Sequence, residues 1–310
     1  MTNNNYSLSF DKNYTKLKKR EISFISLSVI AVIFFYSIVI LLYYIPFYSE
    51  ISEMYLTNFF AAILTMIILI RISISTYGAN FLFKIWLSKN SRRFTDLPFI
   101  FGLFFFLFIP AKLMDLLVFT TYRLYTDFGF SYYLILNIIK LRYFILTLSI
   151  LPLFLSGIYL YLFRLNLKKP DLERKKLSKK LTVLFSILYF PVFFIIIIFL
   201  NDITMFSYVG ALMTLSSLSF VIWVFLTAHK GKILSEINSL IISIGFICYL
   251  ISNLILPILV NVIGPTSLEG ERIGSLILEL GTLFSMVIII LGFKKKANYK
   301  KKIPLISQSL

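Results

Sequence analysis

The sequence predicts an all-α, polytopic bundle of eight membrane-spanning helices, with the N- and C-termini both cytoplasmic. Three observations lead there. The 310 residues are 59% hydrophobic and only 15% charged, against roughly 45–50% and 25% in soluble domains. The apolar residues fall in blocks of about 20 or more, enough as helix to cross a ~30 Å hydrocarbon core. The formal charge of +17 is distributed by side rather than spread evenly.

In chain order the spans fall at 22–46, 54–77, 97–120, 132–165, 181–200, 206–228, 237–260 and 274–293. The first is too long, and ends too aromatic ("YYIPFY"), for a cleaved leader, whose apolar region runs about 7–15 residues. Tyr43, Tyr44 and Tyr48 at its outer end, and Trp86 and Trp223 at the inner ends of spans two and six, suit the interfacial belts. Pro110, Pro152, Pro191 and Pro257 fall inside spans three, four, five and seven. Each removes an N–H and bends its helix. Gly210, Thr214 and Ser217 line one face of span six, and Ser239 and Ser243 one face of span seven, as helix–helix contact surfaces do. The whole of 1–310 reads as one integral membrane domain. The basic loop 166–180, "NLKKPDLERKKLSKK", separates two four-span halves. No internal repeat is assigned.

Segments 1–21, 84–96, 164–180, 229–236 and 294–310 hold 25 Lys/Arg and 6 Asp/Glu. Segments 47–53, 121–131, 201–205 and 261–273 hold two Arg and six acids. Lys/Arg excess marks the cytoplasmic side, and every loop agrees. The expected location is the cell membrane, multi-pass. The expected partners are the lipid bilayer, anionic lipid headgroups at the inner face (bound by loop 166–180) and a possible soluble cytoplasmic protein. Nucleic acid is not expected, because the positive charge follows topology.

Much chemistry is absent from the sequence. His229 is the one histidine and Cys248 the one cysteine. That excludes an intrachain disulfide, bis-histidine haem, HExxH and most zinc sites. GxxxxGK[ST] and GxSxG are missing, as is an Asp-rich metal-diphosphate motif. The last span carries no lysine for a retinal. No catalytic residue, metal or cofactor is assigned, and no enzyme is expected.

Six ionisable residues lie in or near the spans: Arg71, Lys112, Asp115, Lys140, Arg142 and Glu279. Such residues are costly in hydrocarbon and are functional suspects. Lys112 and Asp115, in "IPAKLMDLL", sit about 22 and 27 Å into span three. Three residues apart, they share a face with Phe108 and Phe119 and can neutralise each other. Lys140 and Arg142 are two apart, about 200° around a helix, so one pocket cannot take both. Lys140, sharing a face with Asn137 and Thr147, is the bundle-facing candidate, and Arg142 is assigned to headgroups. Glu279 shares a face with Ser275 and Thr282, about 7–8 Å below the outer edge, and is expected to approach a base of span three or four. Arg71 is expected to snorkel inward. The expected ligand-binding set is therefore Lys112, Asp115, Lys140, Glu279 and Asn253, in an outward-facing cleft that Tyr249 could join.

This net-positive cleft and the kinked spans motivate a transport or binding function for a small anionic solute. A sensor acting through a soluble partner is the alternative. A lipid-modifying enzyme using Asp115 and Glu279 as acid and base is the third.

Overall fold

The structure is a computed structural model. It describes residues 26, 29–30, 33–34, 36–57, 59–89, 91–129, 131–168, 180, 191–262 and 268–297. The N-terminal basic segment, loop 169–179, nine residues of the expected first span, the first half of the expected fifth span, and the C-terminal tail from 298 lie outside these residues.

Among the described residues every regular element is helical. A π-helical turn covers Ile40–Tyr44. The helices are α1 (Tyr48–Thr57), α2 (Phe59–Leu87), α3 (Leu97–Phe128), α4 (Tyr132–Lys168), α5 (Ile203–Lys230), α6 (Ser239–Val262) and α7 (Leu268–Lys294). Residues 191–199 are also helical. Among the described residues five stretches are long and apolar enough to cross a membrane: Phe59–Leu87, Leu97–Thr121, Tyr132–Leu162, Tyr208–Lys230 and Ile273–Lys294. In α6 the stretch Ser239–Leu254 is a shorter apolar helix.

Helix ends depart from the apolar blocks. The expected outer loop 47–53 is largely α1. Helix α2 runs ten residues beyond the expected end at 77, to Leu87. Polarity ends an apolar block, but a helix stops only where its backbone ladder is interrupted. Residues 78–87 still bury Gly78, Ala79, Leu82, Phe83 and Trp86, so the helix continues. Helix α3 starts after Asp96, with Pro98 in its first turn, and stops at Gly129. Gly129 has φ 70° and donates its N–H to Leu124 O. Only glycine takes that left-handed conformation without cost.

The chain divides into two units, 1–56 and 57–310. In the first, the Tyr43 ring meets Tyr44 edge-on at 5.8 Å and Phe47 at 5.6 Å. In the second, sequential helices pack as neighbours from α2 to α7, and α7 returns to pack on α2. Among the described residues these six helices thus make a closed circuit of neighbours in chain order. Helix α3 is the most deeply buried of the five membrane-length stretches. Its Phe101 ring lies 5.6 Å from Phe225, 5.9 Å from Phe246 and 4.8 Å from Phe293. It thereby touches α5, α6 and α7 at once. Such tilted and edge-on pairs contribute roughly 0.5–1.5 kcal/mol each beyond area burial.

The tightest seam joins α6 and α7. A Cβ on Gly245 would stand 2.6 Å from Ile289 Cγ1, and one on Gly292 2.5 Å from Ile242 Cγ1. The two backbones approach closely because these positions carry no side chain. The small-residue faces read from the sequence are buried: Gly210, Thr214 and Ser217 on α5, Ser239 and Ser243 on α6.

Candidate functional site

The site begins with the ring closure, which brings three charged helices to one depth. Arg71 lies 16 residues before Leu87, Lys112 15 after Leu97, and Glu279 15 before Lys294. Each is therefore about 22–24 Å along its helix from the Lys/Arg-rich end. At that end α7 meets α2, where Lys294 Nζ donates to Tyr77 Oη at 2.8 Å.

Five ionised groups make one chain of alternating sign. Arg71 Nη1 donates to Glu279 Oε2. Lys112 Nζ donates to Glu279 Oε1 at 3.3 Å and also to Asp115 Oδ2. Arg142 Nε donates to Asp115 Oδ1. The chain runs α2, α7, α3, α4 and carries three positive and two negative charges. Arg71 is 1% exposed, Lys112 7% and Glu279 6%. At the far end the Arg142 side chain is 27% exposed. Beneath the cations lies Phe108, one turn before Lys112. Its ring centroid is 5.3 Å from Arg71 Cζ and 5.3 Å from Lys112 Nζ. Ring faces attract cations. Tyr249 of α6 meets the same ring edge-on at 6.4 Å.

The saturation of donors is uneven. Arg71 Nε and Nη2 are buried and have no hydrogen-bond partner among the described residues. Leaving a buried donor unmade costs about 1–3 kcal/mol, more for a charged group.

Lys112, Asp115 and Glu279 are brought together as the face arithmetic predicts. Other assignments change. Arg71 does not snorkel: it is buried on Glu279. Because α2 continues to Leu87, Arg71 lies far deeper than the end of the apolar block suggests. The signal for it was Ser75 and Gly78 on the same face, both buried. Lys140 and Arg142 exchange roles. Opposite faces allow one of them to meet α3, and it is Arg142 that reaches Asp115. Lys140 Nζ donates to Ile198 O and to Asn201 Oδ1, each at 3.0 Å, capping the C-terminal end of helix 191–199. That end of a helix dipole attracts a cation. Glu279 is also deeper than expected, because α7 starts at Leu268. Asn253 stays outside the network, its Nδ2 donating to Tyr249 O at 2.7 Å on its own helix.

Arg71, Lys112 and Glu279 are buried, and exposure rises toward Arg142. Ion pairing allows this, since each carboxylate meets two cations and neither sign is buried alone. Cavities of about 450 and 650 Å³ at the Lys/Arg-rich end are lined by residues such as Lys89, Asp96 and Glu236, and include no member of the network. Among the described residues no group of three His, Cys, Asp or Glu could hold a metal.

No protein-family model, curated protein or solved structure matches the chain. The fold and site define its class by physics alone: an all-helical protein whose apolar helices suit a lipid bilayer.

Proposed function

We propose that the chain is an eight-span membrane protein, termini cytoplasmic, that binds a small monovalent anion at the Arg71–Lys112–Arg142 network and passes it across the bilayer. The observation carrying this reading is the charge imbalance of the network. Three cations, the third of them Arg142 at its more exposed end, face two carboxylates within an apolar bundle. An uncompensated charge there is expensive, and a single bound anion removes the excess. Pro110 supports passage rather than binding alone. It lies inside α3, two residues before Lys112, and cannot donate to the carbonyl of Phe106. The helix bends most readily next to the charges, so enclosure and exposure of the site can alternate.

Reconstitution of the purified full chain into vesicles tests the reading. Saturable uptake of a monovalent anion is expected, and Lys112→Met should reduce it at least ~10-fold, the equivalent of one charge-assisted hydrogen bond. Flux equal to that of empty vesicles for every monovalent anion tried would reject it.

A further inference from the structure

We propose that the unpartnered edge of Arg71 is a side-on chelating site for a monocarboxylate; this inference rests on the anion-binding reading above. Three features of the geometry select that ligand class. A guanidinium presents two parallel N–H bonds on its side-on edge, formed by Nε and Nη2. Those are the two atoms left without partners among the described residues, while Nη1 is taken by Glu279. Parallel donors fit the two oxygens of a carboxylate. A spherical halide offers one acceptor to both donors, so each N–H bond must bend off its axis to reach it. Glu279 cannot turn to occupy the edge and keep its present bonds, because its second oxygen is held by Lys112 at 3.3 Å. The edge is therefore buried without an acceptor among the described residues.

Charge narrows the choice further. The network carries an excess of one positive charge, so a monoanion neutralises it, whereas a dianion would reverse the imbalance. The Phe108 ring lies 5.3 Å from Arg71 Cζ, and Tyr249 meets that ring edge-on. A carboxylate on the Nε–Nη2 edge would lie in the guanidinium plane. It would complete an alternating chain of six charges: carboxylate, Arg71, Glu279, Lys112, Asp115, Arg142. The carboxylate could belong to a small free acid or to the head of a fatty acid, since both present the same two oxygens.

The test replaces chloride stepwise by acetate or octanoate at fixed ionic strength and pH 7. Thermal unfolding of the purified full chain is followed in detergent. Both the wild type and Arg71→Lys are measured; the variant retains the charge but has no pair of parallel donors. The wild type is expected to prefer a carboxylate over chloride by at least ~10-fold in half-saturating concentration, one charge-assisted hydrogen bond converted to a ratio. In Arg71→Lys that ratio should fall toward one. An effect of acetate identifies a small free acid; an effect of octanoate alone identifies a fatty acid head. If chloride and the carboxylates stabilise the wild type equally, the chelating edge is refuted while the anion site stands. If Arg71→Lys keeps the full carboxylate preference, the preference does not originate at Arg71 and the proposal fails. If no anion shifts the wild type, both this inference and the anion-binding reading fall. Should Arg71→Lys not fold, the wild-type ratio still decides.

Discussion

Glu279 holds two cations from different helices, one on each oxygen, and this makes the five charges unequal. Replacing an acid leaves three cations against one carboxylate. Replacing Lys112 leaves two against two, joined in separate pairs. Glu279→Gln is therefore expected to cost roughly 3–5 kcal/mol, the range for breaking a buried pair, and Lys112→Met distinctly less. Thermal midpoints in detergent compare them; equal midpoints would mean that Glu279 carries no charge in the folded protein. Lys140 belongs to a different economy of contacts. Its ammonium sits at a helix C-terminus, so Lys140→Met should cost about 0.3–1 kcal/mol and leave anion-dependent stabilisation unchanged. A lost anion response in that variant would place Lys140 functionally in the network. The Lys112–Asp115 pair was legible in sequence because a spacing of three on a helix dictates a shared face. Arg71 was not, since its depth depends on where α2 ends. The choice between Lys140 and Arg142 was not legible either: periodicity says that they oppose each other and leaves open which one meets α3.

Elements bring these residues to one depth, and two features of the helices control it. Helix α3 combines the deepest burial with a proline beside its lysine. Pro110→Ala restores an N–H able to bond Phe106 O, removing a penalty of up to ~3 kcal/mol for proline in a helix interior. The expected outcome is a stiffer α3, with anion binding retained and vesicle flux slowed. Unchanged flux would separate the kink from passage. The α6–α7 seam sets where Glu279 stands. Gly245→Leu would drive a side chain into Ile289 and into the carbonyl of Ser285, 3.1 Å from the position of an added Cβ. The bundle should lose at least ~1–3 kcal/mol, the usual cost of overpacking, read as a lower midpoint in the same melts. A neutral outcome would mean that the two helices can separate freely. Helix existence was legible because runs of about 20 apolar residues have few other solutions. Helix ends were less so. Helices α2 and α7 extend through polar residues, where backbone hydrogen bonding continues after hydropathy has fallen.

At the scale of the whole molecule, orientation rests on charge counting. Ser91 and Ser131 are both exposed and lie at opposite ends of α3. With Cys248 replaced by Ser, a cysteine at position 131 is expected to react with an impermeant thiol reagent added outside cells, and one at 91 to react only after permeabilisation. The reverse pattern would invert the topology and turn the Arg142 end of the network toward the cytoplasm. The sequence by itself determined the helical class, the lipid setting, the sidedness of Lys and Arg, and the shared face of Lys112 and Asp115. All four follow from composition and from the 3.6-residue period, which are local properties of the chain. Only the tertiary structure decided that α7 closes on α2, that Arg71 and Glu279 become partners 208 residues apart, and that Arg142 displaces Lys140 from the network. Those outcomes depend on which faces of different helices meet, and on where each helix ends. Side-chain packing between distant segments sets both, and no local pattern encodes it.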